Sequence, residues 1–371
     1  MKFSCEKNSL QSAIQNAKMA LSARPSMSIM EGIHLIAEEG KIKLTCTDGS
    51  LYIRSEVEAD VQQGGRVVLN SRLFSEIIRH AAPGKIQIIM DENRSLKIQS
   101  NGSRSTIAGM SDNTFPAMST PFQNDGIHIS QKILKNMISH VLFSIAQGEV
   151  KEALNGGYLE LYKNEIRLVG VDGFRLSLQK WEDSFILPQG KEHLACIIPH
   201  KVLSDVSSML EDSEELITLH IENTHIMFVI GNTTVVSTLY SGSYINYENI
   251  LPKTWKTRVV TKKEEFLPAV ERAGLIAQSA NTNIITMRIG EGKLILTSKS
   301  EVGDVYEELD VEIDGDPITI GFNGKYLSDI ARNIDETWIE ILMITPESPV
   351  IIKPRDKETA TYLLMTVRLN Q

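Results

Sequence analysis

Carboxylates, imidazoles and thiols are the side chains here whose spacing could signal chemistry. Asp48 and Asp172 each precede glycine at the end of similar runs, Ile42-Lys43-Leu44-Thr45-Cys46-Thr47-Asp48-Gly49 and Ile166-Arg167-Leu168-Val169-Gly170-Val171-Asp172-Gly173. A carboxylate pair doing acid–base work sits within about 10 Å. Two copies of one segment 124 residues apart belong to different domains. Asp-Gly between alternating runs is a hairpin signal, because glycine accepts the positive φ of a tight turn. His220 and His225 read as one alternating segment, on opposite faces, which speaks against a shared metal. Cys5, Cys46 and Cys196 are too widely spaced for a metal or redox pair, and a reducing cytoplasm suits them. No P-loop, dinucleotide fingerprint, HExxH or Gly-x-Ser-x-Gly is present. The expectation is a protein that is not an enzyme, with no cofactor and no metal.

The elements that position these residues repeat as well. Arg72-Leu73-Phe74-Ser75-Glu76-Ile77 returns as Lys201-Val202-Leu203-Ser204-Asp205-Val206 and as Lys325-Tyr326-Leu327-Ser328-Asp329-Ile330. The apolar positions make one stripe of an amphipathic helix. An earlier helix recurs through Leu10, Ala13, Ile14 and Ala17; through Ile133, Leu134, Met137, Ile138 and Val141 behind a possible Ser130 N-cap; and through Phe266, Leu267, Val270 and Ala273. Each helix follows a short apolar strand, and alternating strands fill the intervals. The unit is about 120 to 130 residues long, a repeat length in the range of ordinary domains. Turn formers place the boundaries near residues 119–126 and 251–254, giving domains 1–124, 125–252 and 253–371.

Bulk composition fits. The chain is 42% hydrophobic and 23% charged, with a formal net charge of −9. That balance excludes a disordered chain and a surface basic all over, though not a local basic face. No run of about 18 apolar residues suggests a membrane span.

The threefold unit, Val171-Asp172-Gly173-Phe174-Arg175-Leu176 and the closing Met365-Thr366-Val367-Arg368-Leu369 resemble the bacterial sliding clamp family, the beta subunits of DNA polymerase III. Met1-Lys2-Phe3, Arg24-Pro25, Leu154-Asn155-Gly156, Asn246-Tyr247, Ile250-Leu251-Pro252 and Gly321-Phe322-Asn323 extend the resemblance over essentially the whole chain. It implies an α+β fold of three repeated clamp domains, each with two helices packed on antiparallel β-sheets, forming half of a ring. Two subunits would pair head to tail around duplex DNA, independent of sequence. Partners would be the DNA polymerase III alpha subunit, the clamp loader and other proteins carrying a clamp motif. The alternative is a divergent clamp, or a clamp-fold scaffold, specialised for repair or protein binding.

The resemblance also implies sites. A partner-peptide pocket would be lined by Leu154, Val171, Gly173, Phe174, Arg175, Leu176, Ile245, Ile250, Leu363, Met365 and Val367. Gly173 would permit close backbone approach, and Arg175 would orient a peptide carbonyl or brace the hairpin. DNA-facing cations would be Arg24, Arg72, Lys132, Lys135, Lys151, Lys201 and Lys325. Lys7, Lys18, Arg79, Lys262, Lys263, Arg272 and Arg332 lie on the same helices or at their ends. The dimer interface would set Arg104, Ser105 and Ile107 against Leu275, Ile276, Glu301 and Asp304, with Glu307 and Glu308 nearby. Departures from the family pattern fall at Glu152 and Ala153, where aromatics are usual; at Phe174, for a common His; at Ile245 and Thr366, for Pro; and at Ser105, for an aromatic.

Overall fold

The computed structural model describes residues 1–118, 122, 126–148, 151–187, 190–279 and 283–369. Of the boundary stretch 119–126, only Phe122 and Gly126 fall among them. Six helices occur in the described residues: α1 (Lys7–Lys18), α2 (Ser71–His80), α3 (Gln131–Leu142), α4 (His200–Met209), α5 (Lys263–Ser279) and α6 (Gly324–Arg332). They follow the strands Lys2–Glu6, Gly65–Asn70, Ile127–Ser130, His193–Pro199, Thr257–Lys262 and Ile318–Asn323, in that order. Every helix of the threefold pattern is present.

Local chemistry sets where these helices begin. The Asn70 side chain accepts from the Leu73 N–H, and Asn323 accepts from Lys325 and Tyr326, which satisfies otherwise orphaned donors. Ser130 behaves differently from the expected cap. Its hydroxyl donates to the Ser213 carbonyl and the Glu214 carboxylate. The Gln131 and Lys132 N–H groups that open α3 go to the Glu215 and Ser213 carbonyls.

The repeated hairpin keeps its register in all three copies. Thr47 lies opposite Tyr52, Val171 opposite Leu176, and Lys299 opposite Asp304. Asp48 Oδ1 accepts from the Ser50 and Leu51 N–H groups at 2.9 and 2.8 Å. Asp172 Oδ1 accepts from Phe174 and Arg175 at 2.9 and 3.0 Å. Both aspartates are turn formers, as expected. The third copy lacks Asp-Gly, yet Ser300 Oγ accepts from the Val302 N–H and makes the equivalent turn.

His220 and His225 correct the sequence reading. They belong to two strands, Leu216–Ile221 and His225–Ile230, joined by a turn at Glu222–Thr224. With His220 opposite Met227, the register puts both histidines on the same face. Among the described residues no cluster of three or more potential ligands could hold a metal.

The described strands form sheets of thirteen, nine and four strands. Contacts divide the chain into two compact units rather than three, residues 1–132 with 204–239 and residues 133–203 with 240–371. Strand pairing across repeats is the reason. In the first unit, Thr233–Thr238 of the middle repeat pairs with Leu51–Glu58 of the first. In the second, Arg175–Glu182 of the middle repeat pairs with Ala360–Leu364 of the third. One core of the second unit packs Phe266, Val270 and Ala273 of α5 with Leu327 and Ile330 of α6 onto sheet residues such as Ile285, Ile341 and Tyr362. Among the described residues no helix is long and apolar enough to cross a membrane.

Candidate protein-binding seam and basic helix faces

The second unit brings the expected pocket residues to one strand seam. Leu176 lies opposite Leu363, and the Met365 N–H donates to the Phe174 carbonyl at 2.9 Å. Behind the seam Val171, Leu176 and Leu363 are buried with Val169, Leu178, Tyr247 and Ile351, and Leu154 and Ile250 pack at the margin. In front, Phe174, Ile245 and Met365 are 58%, 40% and 39% exposed. Val367 is half-buried and donates its N–H to the Gly321 carbonyl. The result is a greasy floor with three large apolar side chains standing in solvent, a combination suited to an adaptable peptide surface.

Gly173 departs from its expected role, and Arg175 takes the second of its two expected roles. A Cβ on Gly173 would meet nothing within 4 Å, and its φ is +89°. Glycine is needed there for the turn, not for close approach. Arg175 is a brace. Its side chain is buried, donating from Nε to Asp172 Oδ2 at 2.9 Å and from Nη1 to Asp329 Oδ2 at 2.6 Å. The guanidinium also lies over the Tyr326 and Phe143 rings, 4.4 and 5.0 Å from their centroids. The acid of the third repeated helix therefore holds the hairpin of the second repeat.

Sequence reasoning missed Tyr326, Phe143, Tyr244 and Tyr247. Tyr326 stacks on Phe174 with ring centroids 5.8 Å apart. One signal was available, since the two other repeat copies carry aliphatic Leu73 and Val202 at this position. Tyr244 stacks on Tyr158 at 4.7 Å. Tyr247 donates to Glu160 at 2.5 Å and accepts from Arg167 at 3.3 Å. Burial pushes the Tyr244 and Tyr247 phenols up, so they stay protonated donors. It also pushes the Cys5 and Cys196 thiols up to about 12, which leaves them inert.

The basic residues divide into two groups. Arg24, Arg72, Lys151, Lys201 and Lys325 are exposed and Lys135 is half-buried. Lys132 reaches Glu214 at 3.6 Å and Asp212 at 4.0 Å, so an α3 stretch with no acid of its own meets acids from another loop. Several neighbouring cations are committed within the chain. Arg79 pairs with Glu76, Lys262 with Glu265, Arg272 with Glu307 and Arg332 with Glu271. Lys263 donates to the Arg332 carbonyl at 3.1 Å and to the Ile334 carbonyl, at the C-terminus of α6.

Two strands carry the expected interface residues, one with a mostly unpaired side and one at the end of its sheet. Ser103–Met110 pairs fully with Ser95–Ser100 on one side but meets Gly65–Asn70 only at Gly109 and Met110. Arg104 is exposed and Ser105 half-buried there, while Ile107, at 5% exposure, points into its own unit. Gly303–Asp310 is the edge of the four-stranded sheet. Near it Leu275 is 69% exposed, Ile276 half-buried, and Glu301 and Asp304 exposed. Arg272 holds the Glu307 carboxyl below the usual range, and Tyr306 with Lys293 does the same for Glu308.

Three clamp domains, mostly antiparallel sheet with two helices each, define the class as a clamp fold. The sequence profile of the DNA polymerase III beta subunit N-terminal domain matches residues 1–119, that of the central domain residues 128–246, and that of the C-terminal domain residues 248–368. A beta sliding clamp from Staphylococcus aureus is 27% identical over 379 residues, 99% of each chain. A Bacillus subtilis DNA polymerase sliding clamp superposes with a TM-score of 0.95 at 26% identity, covering 100% of both chains. A chain from Eubacterium rectale assigned to the DNA polymerase III beta subunits gives 0.94 at 30%, again over 100% of both. The chain belongs to the DNA polymerase III beta subunit family, and its function is that of a DNA sliding clamp.

Proposed function

We propose that two copies of this chain close head to tail into a ring around duplex DNA, and that the seam holds the polymerase to it. The observation that carries the reading is the seam itself: Phe174, Ile245 and Met365 stand exposed over a buried apolar cluster where two clamp domains share a sheet. A short partner peptide would lay its bulky side chains there. The partners would be the DNA polymerase III alpha subunit, the clamp loader and other proteins with a clamp motif. The domains of this reading run 1–124, 125–252 and 253–371.

A closed ring retains DNA by topology, so it needs little affinity. Strong phosphate contacts would impede sliding. Arg24, Arg72, Lys135, Lys151, Lys201 and Lys325 would line the hole, with Lys132 weakened by its acids. Ring closure would set the basic edge at Arg104 and Ser105 against Leu275, Ile276, Glu301 and Asp304 of a second copy. A cleft of about 290 Å³ beside Ser105, lined in part by Ile77, Ala81 and Ile98, would receive the exposed leucine. Ile107 would contribute backbone rather than side chain. The role is that of a tether in the cytoplasm, not an enzyme.

The deciding experiment loads the protein onto nicked circular plasmid with the clamp loader of its cell. Retention on circles and loss after linearisation is the expected result. The second reading, a divergent clamp or scaffold, draws on exposed Glu152 where the family has an aromatic and on the neutralised Lys132. A scaffold would be retained on neither DNA form.

A further inference from the structure

The paired helices of the first and third repeats enclose the same groove and fill it differently. In the first, Lys18 of α1 faces Ser75 of α2 across about 210 Å³. In the third, Gly274 of α5 faces Ser328 of α6 across about 540 Å³. These are equivalent positions of the repeat. Leu10, Ile14 and Lys18 align with Phe266, Val270 and Gly274, and Phe74-Ser75-Glu76 with Leu327-Ser328-Asp329. Lys18 spans its groove, its ammonium donating to Ser75 Oγ at 2.8 Å. Ser328 is 6% exposed, and its Oγ has no hydrogen-bond partner among the described residues.

Neither feature serves the fold. Glycine inside a helix is destabilising relative to alanine. A Cβ on Gly274 would meet nothing within 4 Å, so packing does not require glycine there. A buried hydroxyl without a partner is also unfavourable. Both sit across one groove, and a ligand entering it accounts for both. The first repeat identifies the chemistry. The group that fits is an ammonium on an aliphatic chain, accepted by the serine hydroxyl, with methylenes lying along apolar wall. Glu271 and Asp329 supply carboxylates beside it, shared with Arg332 and Arg175, and the other cations of the lining are Arg272, held by Glu307, and Lys325. The third groove also runs past the lysine slot to Gln278 and Asn283, whose amide oxygens can accept a second ammonium. Gln278 lies about 6 Å further along α5 than Gly274, at the rise of an α-helix.

We propose that the α5–α6 groove binds a free linear aliphatic polyamine, one ammonium on Ser328 and the next toward Gln278. Calorimetric titration of the full chain with 1,4-diaminobutane and with spermidine, at about 0.15 M salt to screen diffuse attraction, tests this. One saturable site per chain is expected. Gly274→Lys should abolish it by restoring the lysine of the first repeat. Ser328→Ala should raise the Kd tenfold or more. Lys18→Gly should open a second site in the first repeat and raise the stoichiometry to two. Melting curves establish that each variant is folded, and should Gly274→Lys fail to fold, the other two decide. Absence of saturable binding overturns the proposal. So does binding that is indifferent to all three substitutions, which would be counterion attraction to an acidic chain.

Discussion

Arg175 joins two aspartates and two aromatic rings, and its removal would leave Asp172 and Asp329 half-buried without their shared cation. Breaking a buried pair from one side costs about 3–5 kcal/mol. Arg175→Met is therefore expected to lower the melting temperature by several degrees and to loosen peptide binding as a secondary effect. Met365→Ala is the cleaner probe of the seam, because Met365 is 39% exposed. It should weaken a polymerase-derived peptide by about 1 kcal/mol or more, roughly fivefold or more in Kd by calorimetry. Leu176 is 2% exposed, so truncating it would mix binding with a core loss of about 2–5 kcal/mol. At this scale the sequence, through the resemblance, singled out side chains that the fold brings to one seam. The bond from Arg175 to Asp329 was not, because it joins residues 154 apart and depends on how two repeats pack.

Hairpins and helices were the most legible elements, since each announces itself through local periodicity and turn chemistry. The third hairpin carries Ser300-Glu301 where the other two have Asp-Gly, so no such turn signal marks it in the sequence. Replacing Gly173 by Ala would force a left-handed conformation on a residue with a Cβ, at a cost of about 1–2 kcal/mol, measurable by denaturant unfolding. The His220–His225 turn was misread because Glu222-Asn223-Thr224 carries no glycine or proline to mark it. Another element-scale contact was illegible for its range. The segment after Ser103–Met110 folds back so that Asp112 approaches the His34 ring at 3.3 Å and Phe115 packs beside it at 4.8 Å. Burial pushes the His34 imidazole below its usual 6.5, and this outweighs the opposing pull of Asp112. The folded state thus takes up a proton less readily than the unfolded chain. The stability from neutral His34 is present above about 6.5 and is lost as pH falls through the lowered folded value. His34→Phe should flatten the melting temperature against pH below 6.5, while wild type declines.

For the whole molecule, the threefold repeat was legible and the two contact units were not. Repeats show in sequence, but the strand pairings that merge them are long-range facts. Ring closure belongs to this scale. Leu275→Asp would place a charge where an apolar contact is proposed, and sedimentation at micromolar concentration should show a monomer for the variant and the proposed dimer for wild type. The ladder between Arg175–Glu182 and Ala360–Leu364 has a mechanical consequence. It acts as a splice, because the third repeat completes the sheet of the second. Severing the polypeptide between Lys253 and Lys256 would leave five residue pairs of that ladder, and Arg175 with Asp329, in place. The two fragments should copurify, and the C-terminal one should not melt independently. Prying on such an assembly would find little compliance at the splice.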